Sequence, residues 1–260
     1  ALKINSENLI QLSNASDVNW FDQVELDAKS VEFTNRIIYQ SENDEWGYPT
    51  GFLIVRSSDS VNLNELSVGG NLVVKSGNNI EITDIDQHGN YLKLNAENDV
   101  NLSSEKNEAL SSLWSRRIEM QGNSIQLDQV KLRSSTDLII HGEQRVDIGA
   151  STHLEAKLKK DEVLSINASE VHLNDATVYA ESEVFKHNKS KVLVNGEQLL
   201  SIKGSSVELG ANQLEAEMPK IELRGKRVVL DNSKVAQLHY FNFKSIILIF
   251  WEQLRELDIE

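Results

Sequence analysis

The sequence predicts an all-β fold, a β-helix or solenoid of short strands that ends in a helical or apolar C-terminal cap. Three observations carry this prediction: a recurring apolar triplet, joints rich in turn-forming residues, and very few prolines. Of the 260 residues, 40% are hydrophobic and 25% are charged. This composition is typical of a folded soluble chain and argues against a disordered one.

The triplet consists of one apolar, one variable and one apolar residue, as in Ile80-Glu81-Ile82. Alternation at period two is typical of a strand with one buried face and one solvent face. The last stretch is the most regular, and its triplets open 7 or 8 residues apart at Val192, Leu200, Val207, Leu214, Ile221 and Val228. Three such strands make a turn of roughly 21–24 residues, the size of a solenoid repeat. The period leaves open whether one chain or three chains supply the strands of a layer.

The joints between triplets carry Asn, Asp, Ser and Gly, as at Ser76–Asn79, Gly122–Ser124 and Asp231–Ser233. These residues tolerate the left-handed conformation that sharp corners require. Pro49 and Pro219 are the two prolines. Since proline cannot donate a ladder hydrogen bond, its scarcity favours a chain that is almost entirely ladder.

Changes in the spacing of the apolar triplets divide the chain into three parts. Residues 1–52 form an N-terminal β region with an irregular insertion, residues 53–235 the β-solenoid, and residues 236–260 an amphipathic or apolar tail. Within the solenoid, Glu105–Arg117 breaks the pattern and indicates a short helix or a longer loop. The tail fits a capping helix over the last coil, a partner-binding segment, or sequence foreign to the protein.

Charge and cysteine content exclude several classes of function. The net charge of −14 disfavours nucleic acid and anionic lipid as partners, because both carry negative charge. The absence of cysteine excludes thiolate metal sites, cysteine nucleophiles and disulfides. The best apolar run, Ile246–Trp251, is far shorter than the ~20 residues that span a bilayer. We expect any membrane attachment to use a segment absent from this chain.

No motif of catalysis or cofactor binding stands out, and we expect a protein that is not an enzyme and holds no cofactor or metal. Histidines lack metal-ligand spacing, and Val68–Asn71 is a turn because no helix follows it. Adjacent carboxylates occur at Asp84 with Asp86 and at Asp161 with Glu162. Such pairs serve polysaccharide-acting β-helix enzymes, but each is more simply a polar corner.

Four Asn-x-Ser/Thr sequons mark possible N-glycosylation sites, at Asn14, Asn101, Asn167 and Asn188. Asn101 is the outward residue of its triplet, and Asn167 directly follows another triplet. Both are therefore expected to be accessible. Sugars there require passage through a eukaryotic secretory route.

Two segments, Tyr91–Leu102 and Arg227–Val235, resemble strands of the extracellular domain of the β/γ/δ sarcoglycan family. The periodic similarity extends over most of residues 53–235. The resemblance implies a glycosylated structural ectodomain that assembles with sister β-rich subunits in the dystrophin-associated complex. It places the chain at the extracellular face of the plasma membrane, as in the sarcolemma. The chain departs from the family in lacking its membrane segment and its C-terminal cysteine cluster.

A second resemblance is to bacterial secreted or surface solenoids of the filamentous-haemagglutinin kind, and Leu66–Ile80 is similar to one of their repeats. That resemblance implies an adhesin. Glycine, at 13 of 260 residues, is scarcer than in such repeats. A structural or interaction role in a hetero-oligomer is therefore the leading expectation, an adhesin the alternative, and a polysaccharide-acting enzyme the third possibility.

Overall fold

The computed structural model is a parallel β-solenoid with turns of roughly 25 residues. It describes residues 1–13, 17–19, 21–34, 36–43, 45, 49–105, 111–182, 189–211, 219–240 and 247–248. One chain supplies all the strands of each turn, which answers the question that the triplet period left open. The predicted fold class is confirmed, and no helix occurs in the described part of the chain.

The strands follow one another with short corners between them. Their bounds are β1 Leu2–Asn5, β2 Leu9–Leu12, β3 Asp17–Asn19, β4 Gln23–Ala28, β5 Ser30–Phe33, β6 Ile37–Gln40, β7 Phe52–Ser57, β8 Val61–Asn64, β9 Leu66–Gly69, β10 Asn71–Ser76, β11 Ile80–Thr83, β12 Asp86–Ala96, β13 Asp99–Ser103, β14 Ser111–Asp128, β15 Val130–Ser134, β16 Leu138–Ile148, β17 His153–Leu158, β18 Val163–Asn174, β19 Thr177–Ser182, β20 Lys191–Lys203, β21 Ser206–Ala211, β22 Lys220–Asp231, β23 Lys234–Tyr240 and β24 Ile247–Leu248.

The strands stack in register into three faces, which we name A, B and C. Face A begins with β1, β4, β7 and β10. Face B begins with β2, β5, β8 and β11. Face C begins with β3, β6 and β9 and closes with β19, β21 and β23. The longer strands β12, β14, β16, β18, β20 and β22 run through a corner and contribute to two or three faces.

Every second residue points into the solenoid, as the triplets predict. On face A the inward column continues through positions that are all 0% exposed: Leu72, Leu92, Ile118, Leu138, Leu164 and Val192. In-register stacking places each aliphatic side chain directly on the one below. Each fully buried side chain contributes about 1.5–3 kcal/mol of hydrophobic stabilisation.

The three corners use different chemistry. The corner from face B to face C turns through one residue of positive φ in seven turns, at Glu65, Asp84, Gln129, Ser151, Asp175, Gly204 and Asn232; β13 and β14, which flank the same corner in another turn, are separated by residues 104–110. The corner from face A to face B instead uses a column of small residues, Ala28, Ser57, Ser76, Ala96, Gly122, Gly142, Ala168, Gly196 and Gly225. At Gly196 a Cβ atom would lie 2.0 Å from the carbonyl oxygen of Leu199, so in this layer the corner has no room for a side chain.

The structure corrects one sequence expectation and meets another only in part. The helix or loop expected over Glu105–Arg117 is wrong from Ser111 onward, because β14 begins there. The inward positions Ser111 and Ser115 are buried but polar, and they hid the alternation around Leu113. In the tail, Ile247 and Leu248 pair antiparallel with β23. Residues 241–246 and 249–260 lie outside the described part.

The structure bears on membrane crossing in one respect, whether it contains a long apolar helix. No helix among the described residues is long and apolar enough to cross a membrane.

Candidate functional site

The C-terminal end of the solenoid is the clearest surface for interaction. Strand β22 is twelve residues long and, within the described residues, it pairs with β20 on one edge only. The backbone N–H and C=O groups of its other edge therefore have no strand partner among those residues. Such an edge is a template for another strand.

The column of inward hydrophobic side chains on face B ends, among the described residues, at a partly exposed side chain in β22. On face B, Val146, Val171 and Leu200 stack at 0% exposure, whereas the next residue of the same column, Val228, is 42% exposed. Its neighbours at this end, Ile221, Leu223 and Leu230, are only partly buried. Within the described residues, a strand edge without a strand partner and a partly exposed apolar core thus coincide in one layer.

The N-terminal end repeats this arrangement less strongly. Leu2, Ile4 and Leu12 are partly buried and pack against the core. They line a small apolar cavity together with Val24 and Phe33. Strand β1, at four residues, pairs only with β4 in the described part of the chain. This end therefore offers a shorter edge than β22.

Face A carries outward carboxylates that their neighbours neutralise. The Glu119 carboxylate accepts a hydrogen bond from the Tyr91 hydroxyl at 2.9 Å and lies 3.2 Å from Lys93 Nζ and 2.8 Å from Arg117 Nε. Burial of Glu119 opposes its charge, but the Tyr91 and Lys93 hydrogen bonds outweigh it and lower its pKa. Two other glutamates of this face have lowered pKa values through basic neighbours: Glu25 and Glu222. These groups are ionised structural partners of Lys and Arg.

The paired carboxylates named from the sequence lie at corners. Asp84 has a φ of 54° and accepts hydrogen bonds from Ser104 Oγ at 2.7 Å and from the Glu105 N–H at 3.1 Å. Asp86 lies on the outer side of face C, two residues further along. Asp84 is therefore engaged in its corner.

The second pair, Asp161 and Glu162, forms the turn between β17 and β18. Asp161 has a φ of 64°, and Glu162 accepts a hydrogen bond from the Lys159 N–H at 2.5 Å. Burial, aided by the nearby carboxylate of Asp137, raises the pKa of Glu162. No group of three or more metal-ligating side chains occurs within the described residues.

Two of the four sequon asparagines, Asn14 and Asn188, lie outside the described residues. Asn101 lies on the outer side of face B, between Glu81 and Gln126. Asn167 lies on the outer side of face A, between His141 and Asn195, and donates a hydrogen bond to Ser165. Both are half-buried in rows of outward side chains, and their glycosylation stays a prediction.

His172 lies on the outer side of face B, between Asp147 and Ser201, but its side chain is only 18% exposed and lies 3.4 Å from Glu170. The end surface at β22 was not identifiable from the sequence. Val228 belongs to the same triplet series as Val192 and Val207, and only the stacking order makes it the last of its column.

The fold defines a class of protein, a single-chain parallel β-solenoid. No protein-family model, no curated protein and no solved structure matches the chain.

Proposed function

We propose that the protein is a structural interaction subunit whose solenoid joins other β-rich subunits at its ends. The observation that carries the proposal is the last described layer, where a twelve-residue strand has one edge with no strand partner among the described residues and lies beside an inward valine that is 42% exposed. Strand addition to such an edge gains main-chain hydrogen bonds, and covering Val228 buries apolar surface.

The partner class follows from the shape of this end. A layer in which β24 pairs with part of β23 but β22 has no further strand partner among the described residues is best continued by another β-strand along β22. We therefore assign the site to a β-rich chain that presents its own end strands. Sarcoglycan-type ectodomains are the first partners to test, because Tyr91–Leu102 and Arg227–Val235 resemble strands of that family. In that assignment the protein works at the extracellular face of the plasma membrane.

The closure of every turn by one chain refines the mode of assembly. A tower in which three chains each supply one strand to every layer is not needed to complete this core, because the core is already complete at Leu72 and Val192. The proposed contact is therefore end to end along the solenoid axis. An adhesin-type solenoid would instead act as a self-contained rod.

The test compares Val228→Lys with Val229→Lys, two neighbouring substitutions of identical chemistry. Val228 points toward the open core, whereas Val229 is the outward residue of the same strand, in register with Ser201. Mass in solution is measured by light scattering for the chain alone and mixed with β-, γ- and δ-sarcoglycan ectodomains. We expect Val228→Lys to weaken the complex by about tenfold or more and Val229→Lys to leave it unchanged.

A strictly monomeric chain that ignores these ectodomains would overturn the sarcoglycan-type assignment and favour the adhesin-type rod. Equal effects of the two substitutions would overturn the end surface itself. Circular dichroism of both variants verifies that the solenoid is intact.

A further inference from the structure

Face C contains a slot that a missing side chain creates in an otherwise continuous outward column. Gln40, Gly69, His88 and Trp114 occupy equivalent positions on successive layers. Gly69 has no side chain, and the Gln40 amide lies over it, with Oε1 2.6 Å from where a Gly69 Cβ would stand; the slot lies between this amide and His88, whose layer is ~9.6 Å from that of Gln40. The resulting cavity has a volume of about 220 Å³ and is lined by Gln40, Asn43, Ser67, Gly69, Asp86 and His88, with Pro49 and Val68 at its border.

The floor of the slot is fixed by hydrogen bonds. The Gly69 carbonyl accepts from the Ser41 N–H at 2.9 Å and from Ser41 Oγ at 3.1 Å. The Gly70 carbonyl accepts from Gln87 Nε2 at 2.9 Å, and Gln87 Oε1 accepts from Ser115 Oγ at 3.0 Å. Ser41, Gln87 and Ser115 are 6%, 1% and 1% exposed. A site whose supporting residues are locked in this way is preorganised for binding.

One wall of the slot is aromatic. The rings of His88 and Trp114 stack with their centroids 4.2 Å apart and their planes at 6°, as expected for side chains on adjacent layers of a parallel ladder. Trp114 is 46% exposed and supports the His88 ring from the side away from the slot. The opposite face of the His88 ring is directed toward the layer of Gly69.

The other walls are polar and mixed in hydrogen-bonding character. The amides of Gln40 and Asn43 both donate and accept, the Ser67 hydroxyl does the same, and the Asp86 carboxylate accepts. Asp86 makes no ion pair among the described residues. None of the described lining residues is a lysine or arginine, so these residues do not favour phosphate or carboxylate ligands.

We propose that this slot binds a pyranose ring of a neutral oligosaccharide. The ring's C–H face packs on the His88 ring, and its hydroxyls, which donate and accept, meet Gln40, Asn43 and Asp86. A purely cationic ligand would use Asp86 and the aromatic wall but leave the amide N–H groups of Gln40 and Asn43 without acceptors. This activity is independent of the end-to-end assembly proposed above.

The test uses Gly69→Val, which fills the slot. Gly69 is an outward residue, and a Cβ there would meet only the end of the Gln40 side chain, with Oε1 2.6 Å away. That amide can rotate away, so the fold is expected to tolerate the change. Gly149→Ala is the matched control, since its Cβ would also meet a side-chain end, Asp128 Oδ1 at 2.7 Å, at a corner away from the slot.

Binding is measured on the full chain by saturation-transfer NMR and by tryptophan fluorescence. The probes are cellotetraose, maltotetraose and mannotetraose, with tetragalacturonate and arginine amide as the charged counterparts. We expect one neutral tetrasaccharide to bind, Gly69→Val and His88→Ala to weaken it by about tenfold or more, and Gly149→Ala to have no effect.

Three results would overturn the proposal. The first is that none of the three neutral tetrasaccharides binds at about 10 mM. The second is that the Gly69→Val variant binds a neutral tetrasaccharide as tightly as the wild type does. The third is that the wild type binds tetragalacturonate or arginine amide more tightly than any neutral tetrasaccharide. Thermal unfolding of each variant separates loss of the slot from loss of the fold.

Discussion

Two regions of the solenoid use buried polar groups in different ways. Between Ile37 and Tyr91, long polar side chains such as Tyr39, Asn71 and Gln87 are at most 4% exposed and bond to the backbone of neighbouring layers. Between Leu138 and Leu209, buried polar residues are short hydroxyls, as at Ser182 and Ser190, whose oxygens lie 2.9 Å apart.

The difference shows what each region is built to do. A long side chain that reaches the next layer fixes irregular backbone, and the slot of face C lies in that region. Short hydroxyls bond within their own corner or to the corner of the adjacent layer, as Thr152 Oγ1 does to the Leu127 carbonyl, and let the aliphatic column repeat unchanged. The first region therefore shapes a surface, and the second region extends the rod.

The largest effect is expected in the repetitive region, at Gly196. We expect Gly196→Ala to lower the free energy of unfolding by about 3 kcal/mol, because its Cβ would lie 2.0 Å from the Leu199 carbonyl oxygen. Gly69→Ala in the irregular region meets only the flexible end of Gln40 and should stay within about 1 kcal/mol of the wild type. Urea denaturation measures both. Equal losses at the two glycines would contradict the tight A-to-B corner.

An intermediate effect is expected at Asn71, which ties three layers together. Its Oδ1 accepts from the N–H groups of Asn90 at 2.9 Å and Tyr91 at 2.8 Å, and its Nδ2 donates to the Thr50 carbonyl at 3.0 Å. Asn71→Ala removes all three bonds, and we expect a loss of about 2 kcal/mol in urea denaturation.

The control for Asn71 is Asn195→Ala, an outward asparagine of the repetitive region. We expect it to change stability by less than about 0.5 kcal/mol. A similar loss at both positions would remove the distinction between the two regions.

The smallest effect at neutral pH is expected at Tyr39, whose hydroxyl donates to the Phe21 carbonyl at 3.0 Å. Tyr39→Phe should cost about 1 kcal/mol near pH 7. Burial raises the pKa of Tyr39 to about 12, from an ordinary value of 10.0. Between pH 10.0 and about pH 12 the Tyr39 phenol is largely deprotonated in the unfolded chain but still protonated in the folded chain. The free energy of unfolding therefore falls as the pH rises through this range.

The pH experiment therefore compares wild type with Tyr39→Phe from neutral pH to about pH 12. The wild type should lose roughly 1.4 kcal/mol more than the variant for each pH unit in the upper window. Its advantage at pH 7 should then shrink and reverse. Parallel curves for the two proteins would contradict the burial of the phenol.

The solenoid was predictable because its signal is local. Val192 and Val207 alternate with polar neighbours, and that alternation alone makes them inward residues. The sequence predicts that the corner residues with left-handed backbone are Asn, Asp or Ser, and Asn232 confirms this prediction. Glu65 and Gln129 also have positive φ, although these residue types were not expected there. There the position in the layer, and not the residue's own preference, decides the backbone.

The surfaces were not predictable, because they depend on which residues lie in adjacent layers. Gly69 is 29 residues from Gln40 but 19 from His88, so no fixed spacing reveals the slot. In the sequence, Gly69 belongs to a turn, and His88 is one of several scattered histidines. Only the strand register places Gly69 and His88 next to each other.

The corner from face C to face A has a consequence for how this molecule can be altered. It is a single residue, Gly70, between β9 and β10, but eight residues, 183–190, between β19 and β20. The strands on either side stay in register in both cases. Length therefore varies at this corner without loss of register, whereas the corner from face A to face B keeps its column of small residues. Foreign loops, epitopes or reporter tags are therefore best grafted here, where surface insertions cost little loop-closure entropy.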